Sequence, residues 1–230
     1  MENIQLIQTD DGSSSLLNLV LNETYHSTHG AIQESTHVFI QNGLQFFSEK
    51  NRSPVSVFEV GFGTGLNALL SLTFSEQNKI NIDYTSLEPF PIAWEIARLL
   101  NYSHQLGGNN HHYFASLHQS PWSESVKISE YFSLCKEKTT LQDFNFQPDQ
   151  FDVVFFDAFA PSKQPEMWVL PIMQKIVGAL KTGGLLVTYC AKGQVKRDLK
   201  SLCMTVESLP GPPGKREMIR AMKLSGLNLQ

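Results

Sequence analysis

The sequence predicts an α/β protein built around one doubly wound, mostly parallel sheet. Apolar segments of strand length alternate with segments of helical periodicity, which is typical of βαβ units. Val55–Val60 has the pattern of a buried strand, and it runs through a glycine-rich loop into helix-forming residues from Leu66 to Leu72. Near the end of the chain, two apolar segments flank Pro210–Gly214, which predicts a closing antiparallel hairpin.

Seven strands are predicted in this sheet, each an apolar segment bounded by polar, glycine or proline residues. In chain order they are Val55–Val60, Ile80–Leu87, Tyr131–Lys136, Phe151–Asp157, Leu185–Cys190, Met204–Leu209 and Glu217–Leu224. The fourth is almost wholly apolar, as a central parallel strand covered on both faces should be.

Helices are predicted between these strands from apolar spacing and from the placement of proline and glycine. One follows Pro91 as far as Leu100, another opens at Pro171 and ends at Gly183-Gly184, and a third lies near Gln194–Leu202. Residues 101–128 are rich in Asn, His, Gly and Ser and predict loop or irregular helix. Residues 1–53 are interpreted as an N-terminal extension that packs on the main domain, residues 54–230.

The composition indicates a soluble globular protein with one sizeable core. The chain has 230 residues, of which 41% are hydrophobic and 17% charged. No apolar segment approaches the roughly 20 residues that span a bilayer, and the polar, acidic N-terminus does not resemble a signal peptide. Cys135, Cys190 and Cys203 form no C-x-x-C pair, which favours reduced thiols. We therefore expect a cytoplasmic protein without membrane contact.

Charged residues and histidines are unevenly distributed. The net charge is −4, yet residues 192–223 hold eight Lys and Arg residues against three acids. This pattern permits a phosphate-binding face, although a solvated helix and hairpin would look the same. His104, His111, His112 and His118 lie in a polar segment without a metal-binding motif, so we predict a surface loop there and no metal.

The loop after the first strand has the pattern E-x-G-x-G-x-G. Its members are Glu59, Gly61, Gly63 and Gly65. Alternating glycines let a ligand approach main-chain N–H groups at a helix N-terminus, although a tight turn alone would also explain them. Glu88 ends the second strand, where a carboxylate can accept both ribose hydroxyls. A dinucleotide-binding loop would need a third glycine at Leu66, so the pattern favours S-adenosylmethionine.

Asp157 is the strongest candidate for a catalytic residue. It ends an apolar central strand, where a carboxylate is costly to bury without a partner; a capping role is the alternative. An amine must lose a proton before it attacks a methyl donor, and a carboxylate here could hold the amine and take that proton. Phe159, Phe156 or Trp168 could stack on a planar base, or belong to the core.

Several segments, taken together and in order, resemble one enzyme family. They are Asp10–Ser13, Tyr25–Ser27 with Gly30, Ala31 and Glu34, His37–Phe39, Glu59–Asn67, Asp157–Pro161, Gln164–Trp168 and Lys215–Met218. Over roughly residues 8–223 the chain closely resembles the methyltransferase that acts on 5-aminomethyl-2-thiouridine in tRNA. In some bacteria that module is fused to a flavin-dependent oxidase. The combination of motifs is far more specific than the glycine loop alone.

The resemblance implies a Rossmann-like, seven-stranded S-adenosylmethionine-dependent methyltransferase fold over residues 54–230. It also implies methyl transfer to the aminomethyl nitrogen of a tRNA wobble uridine, which gives 5-methylaminomethyl-2-thiouridine, with Asp157 beside the reacting groups. The cofactor contacts expected are Glu59, Gly61, Gly63, Gly65, Asn67 and Glu88. The substrate contacts expected are Tyr25, His26, Glu34, Phe159, Lys215 and Arg216.

Two features depart from the family pattern. The chain has no second, flavin-binding half, so we expect no FAD and no oxidative removal of a carboxymethyl group; the aminomethyl uridine would be supplied ready-made. Gln164 stands where relatives carry Asn. In addition, residues 136–143, at the end of the third strand, offer several polar candidates for holding the adenine and no clear winner.

Two other functions fit the same residues. A methyl- or aminopropyl-transferase for a small amine could use the same aspartate. A non-catalytic subunit could keep the fold and bind tRNA or a partner. The basic C-terminal segment favours tRNA over a small amine. The retained glycines, together with Glu88 and Asp157, argue against a non-catalytic role, because an idle buried carboxylate is unfavourable.

Overall fold

A computed structural model describes residues 3–50 and 54–224 as two sheets with surrounding helices. The small N-terminal sheet is antiparallel and consists of β1 (Ile4–Gln8), β2 (Ser14–Asn18) and β3 (Glu23–Thr24). The strands of the main sheet are β4 (Val55–Val60), β5 (Ile82–Leu87), β6 (Ser125–Lys127), β7 (Phe132–Glu137), β8 (Phe151–Phe156), β9 (Leu180–Thr188), β10 (Met204–Pro210) and β11 (Glu217–Lys223).

The main sheet is doubly wound, as the sequence predicts. Its strands lie side by side in the order β10-β11-β9-β8-β4-β5-β7-β6. β4, β5, β7, β8 and β9 are parallel, whereas β6, β10 and β11 each run antiparallel to a neighbour. The chain winds outward from β4 through β5 to β7 and then returns to β8, on the other side of β4. The strand order therefore reverses between β4 and β8, where ligands of such sheets bind.

The two central strands are apolar because helices cover both faces of the sheet. Val57 and Phe58 of β4 and Val153 and Val154 of β8 are fully buried. In the parallel register, Val57 pairs with Val153, and the last residues of both strands also pair. Both strands consequently end at the same edge of the sheet, and the loops that follow them meet there.

All seven predicted strands are present, most of them within two residues of their predicted ends, with one additional strand and one substantially changed boundary. The addition is β6, a short edge strand paired antiparallel with β7. The changed boundary is β9, which begins at Leu180, so that Gly183-Gly184 lies within a strand instead of ending a helix. The backbone of β8 explains this difference, because a Cβ on Gly184 would lie 3.0 Å from the carbonyl oxygen of Asp152. Gly184 therefore lets β9 approach β8 closely, next to the register shift between Phe151 and Val153.

Helices fill the connections between these strands. They are α3 (Leu66–Asn78), α4 (Trp94–Ala97), α5 (Tyr102–Leu106), α6 (Asn110–Gln119), a 3₁₀ turn (Pro165–Trp168), α7 (Leu170–Ala179) and α8 (Gly193–Ser201). The helix predicted after Pro91 is a single turn, α4. The segment 101–128 is more regular than its composition suggests, because Tyr102, Phe114 and Leu117 anchor α5 and α6 in the core.

The N-terminal segment continues from its small sheet into one long helix that packs on the main sheet. This helix comprises α1 (Ala31–Ser35), a π-helical stretch (Thr36–Gln45) and α2 (Phe46–Ser48). At its closest approach, a Cβ on Gly43 would lie 2.9 Å from Val187 and 3.2 Å from Phe155. Residues 25–34 are thereby held above the carboxyl ends of β4 and β8. The predicted division at residues 53 and 54 remains a prediction, and residues 51–53 and 225–230 lie outside the described ones.

None of the helices in residues 3–50 and 54–224 combines the length and the apolar character that crossing a membrane requires.

Candidate active site

A cavity of about 850 Å³ opens where the strand order reverses. Its floor is formed by the loops that follow β4, β5 and β8. The segment that includes β3 and continues to Glu34 covers one side, and Lys215 of the β10–β11 hairpin closes another. Three distant parts of the chain therefore form one enclosure.

The glycine loop lies against the floor of this cavity. Gly61 and Gly63 line it and have positive φ values of 90° and 49°. A Cβ on Gly63 would lie 3.2 Å from the Tyr25 ring, and one on Gly61 would lie 3.3 Å from the Asp157 carbonyl oxygen. Glycine is therefore needed here both for backbone conformation and for space. Gly65 is not a lining residue; it forms the N-cap of α3 instead.

Glu88 lines the cavity next to this loop. Its Oε2 accepts the Gly63 N–H at 2.9 Å, and its Oε1 accepts the Phe90 N–H at 2.9 Å. Burial raises the pKa of the Glu88 carboxyl, while these two hydrogen bonds act in the opposite direction. The carboxylate thus joins the end of β5 to the glycine loop, at the place where the sequence predicts a ribose contact.

Asp157 follows the last residue of β8 and faces the cavity. Asn67 of α3 donates its Nδ2 hydrogen to Asp157 Oδ2 at 2.8 Å. Burial, and to a lesser degree the Glu34 carboxylate, raises the pKa of Asp157 to about 7, although Asn67 and Lys215 oppose the shift. A carboxyl group with such a pKa can exchange a proton near neutral pH.

Glu59 lies below the cavity and is not one of its lining residues. It is fully buried, and Ser86 Oγ donates to its Oε2 at 2.6 Å. Burial, and to a lesser degree the nearby charge of Asp157, raises the pKa of Glu59 to about 8, although the hydrogen bond from Ser86 opposes the shift. Asn67, also predicted to contact the cofactor, lines the cavity and lies close to both carboxyl groups.

An ion pair joins the two ends of the chain at the wall of the cavity. Lys215 donates to Glu34 Oε1, and Glu34 Oε2 accepts the Ser27 N–H at 2.7 Å. The Lys215 ammonium also lies 3.8 Å from the centroid of the Tyr189 ring. Sequence reasoning missed Tyr189, which follows β9 and lines the cavity. The sequence places Tyr189 at the carboxyl end of a strand next to β8, where ligands of such sheets bind, so it could have been predicted as a site residue.

Two aromatic residues also contribute to the lining of the cavity. The rings of Tyr25 and Phe159 meet edge to face at 5.1 Å, and both residues line the cavity. His26 is buried but also lines the cavity, and its ring nitrogens lie 3.1 Å from Ser15 Oγ and 3.4 Å from Thr64 Oγ1. Burial lowers the pKa of His26 to about 4, so its imidazole is neutral at pH 7. It links the N-terminal sheet to the glycine loop.

The Asp157–Pro161 loop is held in place by residues of the following segment. Gln164 Oε1 accepts the Phe159 N–H at 3.2 Å, and Trp168 Nε1 donates to the Phe159 carbonyl oxygen at 2.8 Å. Gln164 also lines the cavity. Trp168 and Phe156 pack together in the core and do not line the cavity. Of the three aromatic candidates, the cavity therefore presents only Phe159.

Arg216 is the one predicted substrate contact that lies outside the cavity, in a shallow groove beside it.

Four residues after the third parallel strand line the cavity, within the segment that the sequence offers for holding the adenine. The lining residues are Thr139, Thr140, Leu141 and Gln142. Lys136 points away from them, is fully buried, and donates to the His118 carbonyl oxygen at 2.8 Å.

The prediction of a surface loop is wrong for all four histidines, because His104 lies in α5 and the other three lie in α6; His104, His111 and His112 are exposed as expected, whereas His118 is not. This residue belongs to α6, its Nε2 lies 3.1 Å from the Thr64 carbonyl oxygen, and burial lowers its pKa to about 4. His118 supports the glycine loop from below, a contact that its polar neighbours in sequence do not reveal. Among the described residues, no group of His, Cys, Asp or Glu is arranged to hold a metal ion.

Comparison with known proteins agrees with this geometry. The chain is 28% identical over 211 residues to the "tRNA 5-methylaminomethyl-2-thiouridine biosynthesis bifunctional protein MnmC" of Leptospira borgpetersenii, covering 86% of this chain and 32% of the relative. The protein of the same name from Magnetococcus marinus is 30% identical, with 86% and 31% covered. The chain thus spans about a third of the length of these curated relatives.

A solved structure and a protein family also match. The crystal structure of MNMC2 from Aquifex aeolicus superposes with a TM-score of 0.74 at 26% identity, covering 97% of this chain and 71% of the other. Residues 109–224, half of the 230-residue chain, match a family described as S-adenosyl-L-methionine-dependent methyltransferase. With the doubly wound sheet and the glycine loop, this match places the chain in the family of S-adenosyl-L-methionine-dependent methyltransferases.

Proposed function

We propose that this chain methylates the aminomethyl nitrogen of 5-aminomethyl-2-thiouridine at the wobble position of tRNA. The product would be 5-methylaminomethyl-2-thiouridine, the nucleoside after which the curated relatives are named. The observation that carries the proposal is the placement of Asp157. Its carboxyl group faces the cavity next to the glycine loop, and its pKa is raised to about 7.

The residues of the cavity fit S-adenosylmethionine. Gly61 and Gly63 bring backbone without side chains to the cavity, and the Glu88 carboxylate, which already holds the Gly63 N–H, has further acceptor capacity for ribose hydroxyls. Gly61, Gly63 and Glu88 would hold the nucleoside, with Leu141 and Gln142 near its base. When bound, this cofactor supplies an electrophilic methyl group on sulfur, so that the new nitrogen–carbon bond forms as the carbon–sulfur bond breaks and S-adenosylhomocysteine is released.

Asp157 prepares the amine for this transfer. In water an aminomethyl group carries a proton at pH 7, and its nitrogen lone pair becomes available only when that proton leaves. The Asp157 carboxylate accepts a hydrogen bond from the ammonium group and takes the proton, while Asn67 holds the carboxylate in place. The cavity lining contains five carboxyl residues and one lysine, a charge balance that favours a cationic amine.

The test is methyl transfer from labelled S-adenosylmethionine to tRNA that carries the aminomethyl wobble uridine, with free polyamines as parallel acceptors. Label recovered as the methylaminomethyl nucleoside is the expected result, and label only in polyamines would refute the tRNA substrate.

Asp157→Asn should lower kcat by about 10²–10⁴-fold while cofactor binding persists. Asp152→Asn is the matched control, because it removes a carboxylate from the opposite end of β8. Near-normal turnover by Asp157→Asn would contradict the base role.

A further inference from the structure

We propose that the shallow groove beside the active-site cavity binds the RNA backbone next to the methylated base, with phosphates held by Lys192 and Arg216. This inference rests on the proposed function. It names the residues that would make the enzyme prefer an RNA substrate to a free amine.

The groove is continuous with the cavity. It has a volume of about 490 Å³ and is formed by three loops at the carboxyl edge of the sheet. Ala160, Tyr189 and Lys215 line both the groove and the cavity. A nucleotide whose base enters the cavity therefore has an open path for its backbone along the groove.

Two cations in the groove form no salt bridge among the described residues. Lys215 is engaged by Glu34, and Glu217 by Lys196 at 2.6 Å. Lys192 and Arg216 also line the groove and are exposed, and neither forms a salt bridge within residues 3–50 and 54–224. These two residues give the groove a net positive charge that solvent ions or a ligand must balance.

The charges of the two compartments are opposite, and they match the two parts of one ligand. The acidic cavity suits the cationic aminomethyl group, and the basic groove suits phosphodiester oxygens. A free polyamine would need only acidic surface and would be repelled by Lys192 and Arg216. The arrangement therefore favours an amine carried by a nucleic acid over a small amine.

The test compares the wild-type protein with Lys192→Gln/Arg216→Gln in two assays with tRNA that bears aminomethyl wobble uridine. The first measures the salt dependence of tRNA binding, and the second measures kcat and KM for methyl transfer. Loss of two phosphate contacts should reduce the slope of log K against log salt by about 1.4 for a single-stranded segment. KM for tRNA should rise about tenfold or more, and kcat should change much less. The free aminomethyl nucleoside, which lacks flanking phosphates, should be affected less than tRNA.

The matched control is Lys79→Gln/Lys127→Gln. Lys79 follows α3 and Lys127 lies in the edge strand β6; both are exposed and neither lines the cavity or the groove, so removing them should leave slope and KM unchanged. If the groove variant and the wild-type protein show equal salt slopes for tRNA binding, the groove does not bind phosphates. If both proteins still methylate tRNA, the proposed function stands. If the wild-type protein does not bind tRNA, the proposal that the groove binds the RNA backbone is refuted as well. Methylation of free amines alone would refute the proposed function.

Discussion

Two neighbouring carboxyl groups at the active-site cavity illustrate how position decides the role of a residue. Asp157 and Glu59 lie on or just beyond neighbouring strands, β8 and β4, and Asn67 lies close to both. Burial raises the pKa of each. Asp157 faces the cavity, whereas Glu59 faces the core and Ser86. Only Asp157 can therefore reach a substrate, and Glu59 supports the floor beneath it.

Glu59 should make the stability of the protein depend on pH. Its pKa is about 8 in the folded chain and near 4.5 when unfolded, so between these values the folded state holds a proton that the unfolded state has released. The free energy of unfolding should consequently fall as pH rises from about 5 to 8. Glu59→Gln, which mimics the protonated acid, should remove on the order of 1–3 kcal/mol of this dependence.

Urea unfolding at pH 5 and pH 8 measures the effect of Glu59. Asp157 titrates in both proteins, so the difference between their pH dependences reports Glu59 together with its electrostatic coupling to Asp157. Glu49→Gln, a change at an exposed position, is the control. An identical pH dependence in wild type and Glu59→Gln would show that Glu59 is ionised in the folded protein.

At the scale of elements, the long N-terminal helix is positioned by one close contact with the main sheet. Gly43 lies in its π-helical stretch, where a side chain would meet Val187 of β9 and Phe155 of β8. The helix can approach this closely only because residue 43 has no Cβ. Its distance from the sheet in turn sets the position of Glu34 over the cavity.

Two glycine-to-alanine substitutions should therefore have opposite effects. Gly43→Ala places a methyl group 2.9 Å from Val187 and should destabilise the protein by about 1–3 kcal/mol through overpacking. Gly178→Ala, in α7, meets no atom within 4 Å and should stabilise by about 0.5–1 kcal/mol, because alanine restricts the unfolded chain more than glycine does. Thermal and urea unfolding measure both. Equal effects of the two changes would contradict the close contact at Gly43.

At the scale of the whole molecule, the site is assembled from both ends of the chain around its middle. Glu34 comes from the N-terminal helix, Lys215 from the C-terminal hairpin, and Asp157 from the central sheet. Glu34 raises the pKa of Asp157, and Lys215 lowers it. The two ends of the chain therefore shift the pKa of this proposed catalytic group in opposite directions.

The pH dependence of kcat should report this arrangement. Activity falls at low pH as Asp157 becomes protonated. Glu34→Gln removes a negative charge, so the pKa of Asp157 should fall and the acidic limb of the profile should move to lower pH by roughly one unit. Lys215→Met should move it to higher pH, and the double variant should return towards wild type. Glu207→Gln, which breaks the Glu207–Arg220 ion pair of the same hairpin, is the control. Shifts in one common direction would contradict the opposing charges.

The sheet, the glycine loop and the place of Asp157 could all be predicted from the sequence, because each rests on a local pattern. Alternating apolar segments predict βαβ units, and glycines after a strand predict a tight, ligand-facing turn. An acidic residue at the end of an apolar strand stands out in the same way. These signals depend on neighbours in the chain, and the structure confirms the fold class and the doubly wound sheet.

The tertiary structure decided which side chains meet. Asn67 reaches Asp157 across 90 positions, and Lys215 reaches Glu34 across 181, separations that leave no mark in local sequence. Burial turned His118 from an apparent loop residue into a support for the glycine loop, and it separated Glu59 from the cavity. Electrostatic effects on Asp157 depend on distance and burial, which arise only when helix, sheet and hairpin pack together.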